Sequence, residues 1–400
     1  MVGRDDLAYA AGIAFGAVVL VLSGYADRPP EIVMHNDFAL LWSGSRTVLD
    51  GATPYDPAAF VATTTRYGTE HPPGYNFYTY PGWVAVALIP FALLPLPVAS
   101  AIWAIGGIVA AVLALRLLLR EYCAGVPVIH TLAGLTLLAS QPGRLTVLLG
   151  QWGFVLLAAS AATVAWLSAA RAARAGASAS LFLAKPQLLV GAAFGLAVAA
   201  VARGHARRFL IAALGITVLA TAASLIVLPG WPVAWRTTVP GALLPDPPQT
   251  TTTFTLLYGV FGRPGVAIAI GVIVVGGLLA LLFRPESDAW LAMWLALSPV
   301  AAIYAWSYDH TLVIVPLVVA TGIALRRSRG VAVAATLGWT LLLDIGTTAL
   351  AVVAARRDNE SYSAVIPLIA FALVAVLVWP ERRFRRGSVR SSARPTGSSP

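Results

Sequence analysis

Apolar runs close to 20 residues long recur along the chain from residue 7 to residue 380. About 20 apolar residues in helical conformation cross the hydrocarbon core of a bilayer. A chain that repeats this pattern is constrained to an all-α polytopic membrane architecture. Composition agrees: of 400 residues, 58% are hydrophobic and 11% charged, whereas soluble domains carry about 25% charged residues. No soluble domain of useful size fits between the runs.

The runs predict spans at 7–25, 81–97, 99–119, 128–147, 151–170, 178–202, 209–228, 264–283, 289–306, 310–325, 331–353 and 363–380. Twelve spans place both termini on one side. The arginines of the tail 381–400 (Arg382, Arg383, Arg385, Arg386, Arg390, Arg394) make that side cytoplasmic by the positive-inside rule. The same parity puts Arg203, Arg207, Arg208, Arg326, Arg327 and Arg329 inside. Arg171 and Arg174 fall outside, against the rule. Either they mark a short external loop with a function, or 178–202 is a re-entrant pair. The expected organisation is one integral membrane domain over 1–380 and a disordered basic tail that touches anionic lipid.

The net charge of +10 would raise nucleic acid as a partner for a soluble protein. Here the arginines sit at the ends of apolar runs, so orientation explains them and nucleic acid is not expected. The single Cys123 excludes an intramolecular disulfide and a cysteine metal cluster. The N-terminal run has a poor n-region, one Arg against two Asp, and no clear cleavage site, so it reads as an uncleaved span rather than a signal peptide. No spacing of His, Asp and Glu amounts to a metal-ligand set, and there is no P-loop.

Two loops stand out on the external side. The first, 26–80, carries Asp27, Glu31, Asp37, Asp50, Asp56 and Glu70. Within it, Phe38, Leu41, Trp42, Ser45 and Leu49 have the spacing of a short amphipathic helix on the membrane surface. Asp50-Gly51 and Thr53-Pro54-Tyr55-Asp56-Pro57 end it with turn chemistry. The second, 229–263, holds several prolines and the run Gln249-Thr250-Thr251-Thr252-Thr253.

Charged groups inside a bilayer cost roughly 2.5–3.5 kcal/mol on insertion scales, so each needs a partner or a role. Lys185, the only lysine, stands before Pro186. It reads either as a cation for an anionic headgroup or as an ion-paired or snorkelling lysine. Asp309-His310 lies at the outer end of a span, where a lone histidine is more often structural than functional. Asp344 has a partner on a neighbouring span as its ordinary reading. Asp37 admits two readings: the N-cap of a surface helix, or a carboxylate at the water–lipid boundary able to take a proton from a hydroxyl, with Trp42 and Tyr55 lining a sugar or lipid site.

The order of these pieces resembles glycosyltransferase family 87. It comprises Asp37-Phe38 after the first span, Gly51-x-x-Pro54-Tyr55-Asp56-Pro57, Tyr78-x-Tyr80-Pro81, Gly150-Gln151 opening a span, and Lys185-Pro186. Ser298-Pro299 follows, then Asp309-His310-x-Leu312-x-x-x-Pro316. The resemblance implies a GT-C fold and a polyprenyl-phosphate sugar donor, with mannose the family default. It implies inverting transfer to a hydroxyl of a lipid or glycan acceptor at the external face of the plasma membrane, without cofactor or metal. It makes Asp37 the general base, and gives Asp309 and His310 the donor phosphate or substrate positioning. Lys185 and the external Arg171 or Arg174 become further phosphate candidates, and Tyr55, Tyr80 and Gln151 substrate-binding ones. Two departures bear on it: Tyr308 stands directly before Asp309 where the family often has tryptophan, with Trp306 two residues earlier, and four threonines follow Gln249 where the family has an N-Q-S-type stretch. A secondary transporter or flippase is the competing class. Against it stand the absence of an internal repeat and the long first loop. A catalytically dead scaffold is the third.

Overall fold

A computed structural model describes residues 3–25, 30–69, 78–242, 250–357 and 359–381. Asp27, Glu70, Gln249 and the Arg-rich tail lie outside the described residues. Within them all regular structure is helical. The first helix α1 (Arg4–Leu22) leads to α2 (Pro30–His35), α3 (Asp37–Leu49) and α4 (Pro57–Tyr67), then to the short α5 (Gly82–Ala87) and α6 (Ile89–Ala92). Next come α7 (Leu96–Tyr122), α8 (Pro127–Ala139), α9 (Gln141–Leu149), α10 (Gly153–Ser168) and α11 (Ala172–Ala179). A 3-10 turn (Ser180–Ala184) precedes α12 (Pro186–Ala202), α13 (Ala206–Val227), α14 (Trp231–Ala242), α15 (Thr253–Phe261), α16 (Arg263–Ala280) and α17 (Asp288–Val300). A 3-10 segment (Ser307–Val313) enters α18 (Ile314–Leu325), a π turn (Leu342–Gly346) joins α19 (Arg329–Leu341) to α20 (Thr347–Arg357), and α21 (Val365–Val378) follows.

Among the described residues seven helical segments are long and apolar enough to cross a membrane, or eight if α8 and α9, bent by 44°, form one span. They differ in what covers them. Residues Ile314 to Ala324 of α18 are all buried by protein, whereas α13 exposes Leu214, Leu219 and Ile226. A helix apolar on every side must be wrapped by other helices or by lipid tails, so α18 is the central post and α13 faces lipid.

One end of the bundle is tied by arginine. Arg116 and Arg120 both reach Asp6, Arg203 and Arg326 share Asp288 at 3.3 Å each, and Arg326 also meets Glu381 at 3.2 Å. Tyr122 joins these groups through Ser168 and Asp288. The ends of α7, α10, α12 and α18 and the starts of α1 and α17 therefore lie together.

The path differs from the expected spans in two places. Residues 81–97 are not a span: α5 and α6 are broken at Leu88, with Pro90, Pro95 and Pro97 unable to continue a helix. The carbonyls left over are taken up by α3, because Trp42 Nε1 donates to Phe91 O and Leu94 O and Arg46 to Ala92 O. Nor is 178–202 one span. After α10 the chain doubles back along it, Thr163 Oγ1 bonding Ala175 O and Ser178 Oγ bonding Ala159 O. It reverses again at Lys185-Pro186, where α12 starts. Residues 172–202 thus form a hairpin rather than one straight helix, and Arg171 and Arg174 sit, exposed, at the arginine-rich end with Arg203.

The helix expected on the membrane surface is instead packed inside protein. In α3, nine residues from Phe38 to Val48 are buried on more than one face, among them Ser43, Ser45 and Thr47. Gly44 allows this, since a Cβ there would meet the Tyr78 ring at 2.2 Å. The small polar residues of α3 mark contact with protein rather than with water.

Candidate active site

The site lies at the end of the bundle away from the arginines, where the start of α3, the α9–α10 turn, the start of α12 and the 3-10 segment meet. Asn36 caps α3: its Oδ1 accepts from Ala39 N at 3.0 Å, and its Nδ2 donates to Leu148 O at 3.2 Å. Asp37 is therefore the first helical residue and not the cap. Its charge is still favoured by the helix dipole, while its carboxylate is turned to the site and accepts a hydrogen bond from Gln151 Nε2.

Gln151 is placed by Gly150, which caps α9 with φ +64°. Only a residue at ease in the left-handed region turns the chain there, and a Cβ at 150 would lie 2.5 Å from that of Phe38. The Gly150 carbonyl is fixed by Trp103 Nε1 at 2.9 Å. Phe38, Phe91, Trp103 and Trp152 pack ring against ring around this turn. The Gly-Gln pair, without meaning as a bare dipeptide, is what brings an amide against the Asp37 carboxylate.

The same amide reaches the Tyr308 hydroxyl at 3.1 Å, so Gln151 bridges the first loop to the 3-10 segment. Lys185 Nζ lies 4.8 Å from the centre of the Tyr308 ring and 3.1 Å from Asp309 Oδ1. Both members of that pair are buried, and Asp309 Oδ2 also accepts from Trp306 N at 3.0 Å. Lys185 is thus ion-paired, the second of the two readings its sequence context allows. Asp309 holds the lysine and the turn. A tryptophan at 308 could not replace the tyrosine hydroxyl that meets Gln151.

His310 is buried, and its ring makes no hydrogen bond of good geometry to another side chain among the described residues. The backbone of Thr251 lies beside it. Buried polar atoms are rarely left unpaired unless water, an ion or a ligand meets them. Part of the threonine run is tied into the fold: Thr251 N bonds Ala305 O, Thr253 Oγ1 bonds Val300 O, and Thr252 and Thr255 form the capping box of α15. It anchors the irregular segment 301–306 that leads to Tyr308.

Tyr80 faces the same group. Burial, then the charges of Asp37 and Asp309, push its hydroxyl well above the usual phenol range, so it stays protonated and able to donate, with Gln151 as a neighbour. Tyr55 stands behind it, donating to Tyr80 O at 2.6 Å and packing on Tyr78. Asp37, Tyr80, Gln151, Lys185, Tyr308, Asp309 and His310 thus gather at one end of the bundle; Tyr55 supports them. Arg171 and Arg174 do not join, being at the other end. Trp42 is spent on the α6 carbonyls. Tyr308 was missed as a site residue, and its signal was the departure from tryptophan before Asp309-His310. Asp344 accepts from Thr136 Oγ1 at 3.4 Å, as expected of an intramembrane acid with a partner on the next helix. No group of three or more His, Cys, Asp or Glu able to hold a metal occurs among the described residues.

Comparison with known proteins gives one result. The sequence model of glycosyltransferase family 87 matches residues 78–285. No curated protein and no solved structure matches the chain. The match covers more than half of the chain and includes Tyr80, Gln151 and Lys185. Asp37 and the 306–310 segment lie outside it, joined to it by the contacts just described. The chain belongs to glycosyltransferase family 87 and is a membrane glycosyltransferase.

Proposed function

We propose that the protein transfers a hexose, mannose by family default, from a polyprenyl-phosphate donor to a hydroxyl of a lipid-linked or cell-envelope glycan, with inversion, at the external face of the plasma membrane. The observation that carries this reading is the Asp37 carboxylate, relieved of capping by Asn36 and aimed by Gln151. Asp37 takes the proton of the acceptor hydroxyl. That oxygen attacks the anomeric carbon as the bond from this carbon to the phosphate oxygen breaks, and polyprenyl phosphate leaves with the electron pair. Lipid phosphate is already a good leaving group, so what the enzyme adds is a base, alignment and hydrogen bonds to the developing phosphate charge. His310 and the Tyr80 and Tyr308 hydroxyls supply those bonds. Lys185 acts as half of an ion pair, so its field on the phosphate is offset by Asp309. Arg171 and Arg174 have no part. The positive-inside rule assigns the arginine-rich end to the cytoplasm, which leaves the site facing out, toward a GT-C-type external reaction.

Membranes containing wild type or Asp37→Asn, given radiolabelled polyprenyl-phosphate-mannose and a total lipid extract, test this. A labelled lipid made by wild type and reduced about 10²–10⁴-fold in the variant at equal expression is expected, the range for loss of a general base. Equal labelling by both removes Asp37 as base. No labelling with this or any other polyprenyl-linked sugar removes the reaction and shifts the reading to transport of a lipid.

A further inference from the structure

A groove of about 430 Å³ opens between α7, α10 and the segment that doubles back along α10. Leu113, Leu117, Val155 and Leu181 line it, and the first and last of these are exposed, so it faces the lipid around the bundle. Residues Ala110 to Arg120 of α7 run its length, about 15 Å at the helical rise. An apolar groove in that setting is filled by hydrocarbon, since a void would forfeit the contacts of both walls.

The two charged residues of the lining stand at one end. Arg116 and Arg120 lie there with Trp166, and both bond Asp6, so two cations share one acid. Arg174 adds a third cation. It stands four residues before Ser178, which lines the groove, and therefore on the same face of α11, one turn nearer the basic end. It is exposed and has no ion pair among the described residues. The other end of the groove is apolar and one turn from the candidate active site: Val155 follows Gln151, and Leu181 precedes Lys185, by four residues. This polarity selects the occupant. A polyprenyl phosphate with its phosphate in the candidate active site would lay hydrocarbon against the arginines. A lipid entering from the opposite end matches both halves, its anionic headgroup on the guanidinium groups and its chain along the leucines. Trp166 suits the headgroup level, and the leaflet at the arginine-rich end, cytoplasmic by the same rule, is the one rich in anionic lipid.

We propose that this groove binds one chain of an anionic phospholipid of the cytoplasmic leaflet, its phosphate held by Arg174 and the remaining N–H groups of Arg116 and Arg120. The lipid joins α7 to the hairpin whose turns carry Gln151 and Lys185. This binding does not depend on the reaction catalysed. The test takes full-length protein in a neutral detergent and reads its melting temperature while dioleoylphosphatidylglycerol, dioleoylphosphatidylcholine or a polyprenyl phosphate is titrated in. Phosphatidylglycerol is expected to raise the melting temperature saturably, and phosphatidylcholine to need a concentration at least about tenfold higher. Arg174→Gln, which breaks no ion pair among the described residues, raises the half-saturating concentration of phosphatidylglycerol about tenfold, the effect of one lost charge-assisted hydrogen bond. Ala162→Phe, which fills the groove from the α10 wall, removes the saturable shift. Arg284→Gln, exposed at the same end but outside the lining, leaves it as in wild type. Equal response to phosphatidylcholine and phosphatidylglycerol overturns the proposal. So does a wild-type response in Arg174→Gln, or a loss in Arg284→Gln as large as in Arg174→Gln, which would make the attraction one of diffuse charge. A shift by the polyprenyl phosphate that Ala162→Phe removes and Arg174→Gln leaves intact also overturns it, by giving the groove to a polyprenyl chain. Should Ala162→Phe not fold, the two arginine variants decide.

Discussion

The Lys185–Asp309 pair sets apart holding the site from acting in it. Both groups are buried, and removing one partner of such a pair leaves an uncompensated charge at a cost of about 3–5 kcal/mol. Lys185→Met and Asp309→Leu are each expected to lower thermal stability in detergent by that order, and the double variant to recover most of it. A double variant no more stable than the singles would mean that the lysine is kept for the phosphate. Gln151 makes a sharper kinetic case. Gln151→Leu leaves Asp37 charged but without the Gln151 amide, and misplacement of a reacting group by about 1 Å costs about 10²-fold. The expected result is a fall of that size in turnover with donor KM little changed. A KM effect alone would make Gln151 a binding residue. Asp37, Lys185 and Asp309-His310 were legible in the sequence because a charge in or beside an apolar run needs a reason. The partner of each was not, since a sequence does not show which helix ends meet. The separation of Asn36 as cap from Asp37 was equally hidden: adjacent polar residues at a helix start look alike until one is seen bonded to Ala39 N.

At the scale of elements, the site depends on two helix ends held against each other, α3 by Asn36 and α9 by Gly150. Asn36→Ala removes the cap, worth about 1 kcal/mol, and the bond to Leu148 O, so activity is expected to fall through lost alignment while the fold survives. Gly150→Ala is harsher. It strains a residue at φ +64° and drives a Cβ to 2.5 Å from Phe38, so the α9–α10 turn must move and carry Gln151 with it. Far lower activity than Asn36→Ala, with a lower melting temperature, is the outcome to look for; near-normal activity would show that the turn does not place the amide. Periodicity identified α3 as a helix and its turn residues marked its end. It did not show what covers the helix, because Trp42 looks the same whether it faces lipid headgroups or caps carbonyls. The reason for the indole lies 49 residues on, in the broken backbone of α5 and α6.

Across the whole molecule, hydropathy marked the apolar runs but not the path, and the two departures from the expected path matter together. Treating 81–97 as a span and 178–202 as a single span, with 171–177 a loop before it, inverts every residue between 97 and 178. That inversion placed Arg171 and Arg174 outside and Gln151 inside, on the wrong side of the membrane from Asp37. In the structure both anomalies vanish at once: Gln151 meets Asp37, and the two arginines join Arg203 at the basic end. The cause is physical. A proline-broken run of 17 mostly apolar residues has the composition of a span, while a return segment rich in Ala, Ser and Arg does not, although each packs one face on protein and leaves the other exposed. The path is testable because the one native thiol, Cys123, is fully buried. Arg174→Cys and Arg207→Cys, both at exposed positions, are expected to react with a membrane-impermeant maleimide only after the membrane is opened, and Ala58→Cys, exposed beside the site, in intact cells. Arg174→Cys labelled together with Ala58→Cys would restore the external arginine loop and return Arg171 and Arg174 as candidates for the phosphate. Labelling of Arg174→Cys together with Arg207→Cys fixes the doubled-back hairpin. It then leaves His310 and the tyrosine hydroxyls to meet the leaving group, beside an ion-paired Lys185 and without a free cation from this part of the chain.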